Sequence, residues 1–309
     1  MTAPKRAPKL GAVMTAMLTP FDASERVDLG EAARLARYLV DEGNTGLIVS
    51  GTTGESPALC DDEKLALFTA TKDAVGERAA IVAGTGGNTT HHSAELTQRA
   101  EAAGVDGILA VVPYYNKPTQ DGMLRHFGAI AAATSLPIVI YNIPSRTGAN
   151  LLPATLLELA RRHPNIAGVK ESSGDFAQFA AILRDRPTGF GFWCGDDHLF
   201  LPSLALGGDG VISVAAHLCA REFRALYDAY RGGDVARAAQ LQLALSELIA
   251  TLFATTSPIP VKWAMNELGF ALGACRSPLG AMPDALAERL RPQLAPYRER
   301  ARATATANA

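Results

Sequence analysis

The sequence predicts a (β/α)8 TIM barrel, an α/β fold of eight parallel strands with helices outside, followed by a C-terminal helical extension. Short apolar runs rich in Val and Ile alternate with longer stretches of helical periodicity about every 25 to 30 residues. Eight such runs fit a closed barrel better than an open doubly wound sheet, which usually has fewer strands. After residue 232 only helical patterns remain. We therefore expect a catalytic barrel over residues 1–232 and a helical extension packed on it over residues 233–309.

Each element follows from a change in periodicity. The predicted strands are residues 11–18, 46–50, 80–84, 107–112, 137–142, 166–171, 190–194 and 210–214. The predicted helices are residues 29–42, 61–75, 90–103, 121–134, 153–162 and 175–184, then 234–253, 258–268 and 283–297 in the extension. The tail, residues 301–309, is low in complexity, and we expect it to be frayed.

Composition excludes several classes of protein. The chain has 309 residues, of which 48% are hydrophobic, and a formal net charge of -2, which is typical of a globular protein with a sizeable core. Its 29 basic and 31 acidic residues are interspersed without a basic stripe, so we expect no nucleic-acid partner. No apolar run approaches the ~18 residues of a membrane span, so we expect no membrane association.

The N-terminus and the cysteines indicate a cytoplasmic protein. The first residues resemble an export signal in their early positive charge and short apolar stretch. That stretch is broken by Thr15 and Thr19, ends at Pro20 and fits a first strand equally well. The four cysteines are scattered without metal-type spacing and are expected to be reduced.

One lysine and one tyrosine end predicted buried strands. Lys170 closes the apolar run 166–169, and Tyr141 closes the run 138–140 one β/α unit earlier. An amine desolvated among aliphatic side chains holds its proton less tightly, and the free amine can attack a keto group. The alternative is a lysine that extends to solvent. Of the seven lysines only Lys170 ends a buried-strand pattern, so we expect it alone to have the environment that a Schiff-base lysine needs.

Other reactive side chains follow the remaining strands, where barrel active sites lie. Thr52 and Thr53, in the GTTGES segment, could cap the next helix or cradle a carboxylate, and the segment alone leaves both open. Asp196 and Asp197 are explained more simply by an N-cap than by a metal. His92 follows another histidine directly, so the two side chains diverge on a helix, and we expect no metal site.

Taken together, the motifs closely resemble the 4-hydroxy-tetrahydrodipicolinate synthase family, also called dihydrodipicolinate synthase. The resemblance runs from residue 11 to about residue 292 and rests on GTTGES, AGTG, PYYNKPTQDG, YNIPSRTG, GVKES, GDGVISV and SPIPVKWAMNELG. It implies a lyase of the class I aldolase type in the diaminopimelate route to lysine, which condenses pyruvate with L-aspartate 4-semialdehyde. It also implies a homotetramer built as a dimer of dimers. No cofactor is expected, because the imine between lysine and pyruvate activates the substrate.

The resemblance assigns roles to eight residues. Lys170 would form the imine, and Tyr141, Thr53 and Tyr115 would relay protons, with Tyr115 coming from a neighbouring subunit. Arg146 would recognise the semialdehyde carboxylate through its planar fork. The pyruvate carboxylate would be held by hydroxyls and main-chain contacts at Thr52, Thr53, Gly195 and Ile212.

The sequence departs from the family at a site that binds the inhibitor lysine in other members. His92 occupies a position that is usually acidic, and Asp61 and Lys64 occupy positions that are often histidine, whereas Asn88 and Tyr114 match. Without a carboxylate at position 92 the ammonium group of lysine would lose its partner. We therefore expect a vestigial site with weak or absent feedback by lysine.

Two further functions stay open at this point. A related pyruvate-dependent aldolase acting on a 2-keto-3-deoxy sugar acid or sialic acid would share the barrel and Lys170. The second alternative is a non-catalytic paralogue that binds a keto acid. The presence of Thr53, Tyr115, Tyr141 and Lys170 argues against it.

Overall fold

The computed structural model describes residues 10–307, with side chains up to residue 301, and has a closed barrel of eight parallel strands at its centre. The strands lie in sequence order, and β8 pairs with both β7 and β1, which confirms the predicted fold class. The strands are β1 Val13–Ala16, β2 Gly46–Val49, β3 Ala80–Gly84, β4 Gly107–Val111, β5 Ile138–Asn142, β6 Ile166–Glu171, β7 Gly191–Cys194 and β8 Gly210–Ser213.

Helices alternate with the strands and then continue alone. Those of the barrel are α1 Leu29–Asp41, α2 Asp61–Val75, α3 Thr90–Ala102, α4 Gln120–Ala132, α5 Pro144–Thr147, α6 Pro153–Arg162, α7 Phe176–Asp185, α8 Phe200–Ala205 and α9 Ala216–Arg231. The C-terminal helices are α10 Val235–Leu252, α11 Ile259–Glu267, α12 Asp284–Leu290 and α13 Ala295–Ala307. None of the helices between residues 10 and 307 is long and apolar enough to cross a membrane.

Most predicted boundaries hold within two residues, but the C-terminus differs. The single helix predicted over residues 283–297 is divided into α12, a 3-10 turn at Arg291–Leu294 and α13, because Pro292 has no N–H for a continuous helix. The tail expected to be frayed is helical as far as Ala307, in keeping with its alternate alanines. Residues 308 and 309, and residues 1–9 with the early charges of the rejected export signal, lie outside the described residues.

The strands are apolar throughout because parallel barrel strands are buried on both faces. One core fills the barrel interior, where Met14, Ile48, Val82, Val139 and Trp193 meet. A larger core fills the space between strands and helices.

Two glycines make room for the indole in the barrel interior. A Cβ at Gly168 or Gly191 would lie 2.6 or 2.4 Å from the ring of Trp193. The ring N–H donates to the carbonyl of Gly11 at 2.8 Å. These contacts therefore fix the position of the Trp193 ring within the barrel interior.

The pairing of β5 with β6 contains one irregularity. Ile138 pairs with Ile166, but the next residue, Val139, pairs with Gly168, so Ala167 has no partner in β5. From there the register is regular and sets Tyr141 opposite Lys170.

The C-terminal helices lie against the barrel helices. Helix α10 packs along α9 and also contacts α8, and α11 contacts α9. The loop between α11 and α12 reaches back to the segment after β1, since the N–H of Phe21 donates to the carbonyl of Leu272 at 3.0 Å. This loop therefore lies close to the mouth of the barrel.

Candidate active site

Lys170 and Tyr141 lie side by side at the carboxyl ends of β6 and β5. Both side chains are buried, with exposures of 4% and 5%, and the Lys170 Nζ lies 4.2 Å from the centroid of the Tyr141 ring. Strand alternation turns Lys170 into the barrel and its neighbour Glu171 toward the helices. Among the described residues, Lys170 Nζ has no hydrogen-bond or ion-pair partner, so the amine is free to react.

Burial alone does not distinguish Lys170, contrary to the expectation from sequence. Lys64 and Lys262 are also buried, because each is covered by helices and loops that strand patterns do not reveal. Lys262 forms an ion pair of 2.7 Å with Glu55. Burial lowers the pKa of Lys64, an effect that the charge of Asp61 opposes. Lys170 differs from both in facing the barrel interior at a strand end.

Gly195 leaves space for the lysine side chain. A Cβ there would lie 1.9 Å from Ser172 Oγ and 2.9 Å from Lys170 Cε, so any larger residue would displace one of them. Ile212, on β8, belongs to the same interior cluster as Tyr141. Gly195 therefore lies against Lys170, and Ile212 shares the interior core with Tyr141.

The turn after β2, residues 51–56, supplies the hydroxyls of Thr52 and Thr53. Neither caps the next helix, because α2 begins at Asp61 and Cys60 is its N-cap. This removes the capping alternative left open by the sequence. Thr52 lines the cavity described below, and Thr53 is buried.

This turn has a constrained backbone. Ser50, which precedes it, and Glu55, which lies within it, have φ values of 58° and 56°, in the left-handed region that non-glycine residues rarely occupy. The Thr19 hydroxyl donates to the carbonyl of Gly54 at 2.7 Å, and the N–H of Glu55 donates to the carbonyl of Thr52 at 3.0 Å. Such conformations persist where the surroundings enforce them and often occur at functional sites.

The side chain of Tyr115 is exposed to solvent within one chain. Its side chain is 88% exposed, the highest value among the large hydrophobic residues described as exposed, and its φ is 73°. Lys117 in the same loop has a φ of 45°. The loop after β4 therefore holds an aromatic side chain out into solvent.

A cavity of about 500 Å³ opens at this end of the barrel. Arg146, on the short helix α5, lines it and donates to the carbonyl of Ser257 at 3.2 Å. The cavity also contains all five residues of the predicted vestigial site. Its wall includes Thr52, Tyr141, Arg146, Asp61, Lys64, Asn88, His92 and Tyr114.

The acidic residue of the predicted vestigial site is already paired within the protein. His92 Nε2 lies 2.9 Å from Asp61 Oδ2, and Arg99 Nη1 lies 3.6 Å from the same oxygen. The carboxylate of Asp61, which the sequence has at position 61 and not at position 92, is therefore already paired with His92 and Arg99.

Two acidic residues at strand ends have structural roles. Asp196 caps the turn that follows it by accepting from the N–H of His198, which confirms the N-cap interpretation for that residue. Asp197 instead accepts from the N–H groups of Val214 and Ala215 at 3.1 and 2.9 Å and holds the turn after β8. Between residues 10 and 307 no group of three or more metal-type ligands occurs.

Glu171 is a supporting residue that the sequence reasoning missed. It accepts hydrogen bonds from Asn142, Gln178 and the N–H of Ser173 on the helix side of the sheet. Burial raises the pKa of Glu171, and these hydrogen bonds act against that effect. The network ties β5, β6 and α7 together beneath the lysine. Its only sequence signal is the position of Glu171 next to Lys170 in a buried strand.

Comparison with known proteins agrees with this geometry. Residues 9–295 match the Dihydrodipicolinate synthetase family. The 4-hydroxy-tetrahydrodipicolinate synthase of Moorella thermoacetica is 54% identical over 269 residues, which cover 87% of this chain and 92% of the relative.

Solved structures give the same result. The enzyme of Cyanidioschyzon merolae, crystallised with lysine bound, superposes with a TM-score of 0.92 at 40% identity and covers 94% of this chain and 98% of its own. The chloride-inhibited enzyme of Acinetobacter baumannii, complexed with pyruvate, superposes with a TM-score of 0.89 at 34% identity and covers 94% and 99%. The barrel, the motifs at its strand ends and these matches together show that the chain belongs to the dihydrodipicolinate synthetase family.

Proposed function

We propose that the protein is a 4-hydroxy-tetrahydrodipicolinate synthase that condenses pyruvate with L-aspartate 4-semialdehyde through an imine on Lys170. The observation that carries the proposal is the unpaired, buried amine of Lys170 beside the Tyr141 ring at the mouth of the barrel. A free amine in a desolvated position is the group that adds to a keto carbon.

The reaction proceeds in balanced steps. The Lys170 amine adds to the keto carbon of pyruvate, and the carbinolamine loses water to give the imine. Loss of a proton from the methyl group gives an enamine, whose carbon forms the new bond to the aldehyde carbon of the semialdehyde while the aldehyde oxygen takes up a proton and becomes a hydroxyl. The bond formation restores the imine, and attack of the substrate's own amine on the imine carbon closes the ring as the carbon–nitrogen bond to Lys170 breaks and the lysine leaves as an amine. No cofactor is required in this scheme.

We assign the proton transfers of these steps to Tyr141, because its ring lies 4.2 Å from the Lys170 amine and a phenol can act as a general acid or base. Thr53 and Tyr115 complete the proposed relay. The exposure of Tyr115 supports its contribution to the site of a second copy, because its side chain is 88% exposed and does not line the cavity of its own chain. A homotetramer formed as a dimer of dimers is the assembly that we propose.

The two substrate carboxylates have separate anchors in this proposal. Hydroxyls and N–H groups of Thr52 and Thr53, with main-chain groups near Gly195 and Ile212, would hold pyruvate. Arg146 would hold the semialdehyde, because a guanidinium matches a carboxylate with two parallel hydrogen bonds.

Arg146→Lys tests the second anchor. We expect KM for the semialdehyde to rise by about tenfold or more, because lysine keeps the charge and loses the fork. Formation of the pyruvate adduct should stay within about twofold of the parent, because Arg146 has no role before the second substrate binds. Arg162→Lys, at a surface pair with Glu158, is the matched control. Equal losses in both measurements would remove the assigned role.

Feedback by lysine should be weak or absent. The only acidic side chain among the five vestigial-site residues is Asp61, which already binds His92 and Arg99, so an incoming ammonium group would have to displace a cation. A steady-state titration should show less than half-inhibition at ~1 mM lysine, an affinity that corresponds to only about 4 kcal/mol. Half-inhibition well below that concentration would contradict the expectation.

A coupled assay distinguishes the related activities. The proposed enzyme consumes pyruvate and aspartate semialdehyde, whereas turnover confined to 2-keto-3-deoxy sugar acids or sialic acid would indicate an aldolase of the wider group. Adduct formation without any turnover would indicate a keto-acid-binding protein. We propose that the enzyme acts in the cytoplasm on these two small molecules, without nucleic-acid or membrane partners.

A further inference from the structure

A buried ion pair connects the threonine turn to the C-terminal extension. Glu55 follows Thr52 and Thr53 in the turn, and Lys262 lies on α11, 207 residues further along the chain. Their side chains are 1% and 2% exposed, and Glu55 Oε1 accepts from Lys262 Nζ at 2.7 Å.

Additional contacts hold both partners in place. The second oxygen of Glu55 accepts from the N–H of Arg276 at 2.8 Å, and the Arg276 guanidinium donates to the carbonyl of Ala58 at 2.7 Å. The ring of Phe21 lies 4.1 Å from Lys262 Nζ and 4.2 Å from Arg276 Cζ. We call Glu55, Lys262, Arg276 and Phe21 the clamp.

Stability is a poor explanation for a fully buried pair. Burial opposes the charge of Lys262 and lowers its pKa, while the adjacent Glu55 acts in the other direction. Replacing such a pair with apolar residues of similar size is often neutral or stabilising, so the pair is better explained by the geometry that it imposes.

The geometry that it imposes is that of the turn. Glu55 has a left-handed backbone, and its N–H binds the carbonyl of Thr52. The ion pair with Lys262 therefore fixes the Glu55 side chain, and with it the backbone of the turn that carries Thr52 and Thr53.

We propose that Glu55 and Lys262 are positioning residues, whose ion pair holds the threonine turn so that its hydroxyl and N–H groups receive the keto-acid carboxylate. The inference rests on the proposed function, in which that carboxylate belongs to pyruvate. It assigns to the C-terminal extension a part in substrate affinity, because Lys262 lies on α11.

The test is the double variant Glu55→Gln with Lys262→Met. It removes both charges together, so no unpaired charge stays buried, and glutamine can still accept from the N–H of Arg276. We expect it to unfold within a few degrees of the parent. We also expect KM for pyruvate to rise, and the rate of pyruvate-adduct formation to fall, by about tenfold, because small displacements of binding groups have effects of this size or larger. KM for the semialdehyde should stay within about twofold.

Two further variants separate positioning from stability. Glu55→Asp keeps both charges and shortens the link by one methylene, so it should show the same selective rise in KM for pyruvate. Glu42→Gln is the matched control, because Glu42 is a buried carboxylate paired with Arg221 at the opposite end of the barrel. That variant should lower the melting temperature and leave both KM values unchanged.

The outcomes are distinct. Parent-like pyruvate kinetics in the folded double variant, or in Glu55→Asp should the double variant fail to fold, would overturn the inference. Equal changes in both KM values would overturn it as well. Failure of the parent to form an adduct on Lys170 would instead contradict the proposed function, and direct pyruvate binding by calorimetry would then still compare the variants.

Discussion

Lys170→Ala is expected to lower kcat by about 10⁴-fold or more and to abolish the pyruvate adduct that borohydride traps. The loss is large because Lys170 is the buried lysine that lies on a barrel strand, whereas Lys64 and Lys262, the other buried lysines of the described residues, lie on helices α2 and α11. The variant should fold and be at least as stable as the parent, since a buried, unpartnered amine is removed. Turnover, thermal unfolding and peptide mass mapping after reduction check the three parts of this expectation.

Two lysine variants serve as controls. Lys170→Arg keeps a cation at the site but cannot form the imine, so it should be as inactive as the alanine variant. Lys64→Met removes a buried lysine that lines the cavity and should keep the adduct. A trapped adduct on any lysine other than Lys170 would defeat the mechanism.

Tyr141→Phe is expected to lower kcat by about 10²- to 10⁴-fold, the usual size of a general acid–base contribution. The ring that lies 4.2 Å from Lys170 Nζ is kept, so the change removes the hydroxyl and little else. The adduct should still form, but more slowly, because proton transfer limits both carbinolamine dehydration and enamine formation. Single-turnover rates of adduct formation, compared with steady-state kcat, measure both effects.

The control for this variant is Tyr114→Phe, which removes a hydroxyl from the same cavity but outside the proposed relay. It should leave kcat within about twofold of the parent. If Tyr141→Phe retains parental rates, the proton transfers belong to another group and the relay must be reassigned.

The barrel was predictable because its signal is local and repeated. Strand β6, for example, has the bounds predicted from its apolar run and charged end. Helix α2 also has its predicted bounds. The closure of the sheet follows from the number of strands. The positions of Lys170 and Tyr141 then follow, because carboxyl ends of parallel strands meet at one face.

The supporting contacts were not predictable, because they join distant parts of the sequence. Nothing near Lys262 in sequence indicates that its partner is Glu55, and an argument from strand patterns does not reveal that Lys64 and Lys262 are buried as well. The left-handed conformations of Ser50 and Tyr115 have no local signal either, since neither is glycine. Such features depend on tertiary contacts, and propensity does not encode them.

The irregular pairing at the start of β6 determines which ionisable group enters the barrel. Ile166 and Val169 both pack in the outer core although they are three residues apart, which strict alternation forbids. The unpaired Ala167 supplies the missing step. Without it, alternation from Ile166 would turn Lys170 toward the helices and present the carboxylate of Glu171 to the substrate. The presence of this one residue thus decides whether the barrel interior receives the amine of Lys170 or the carboxylate of Glu171.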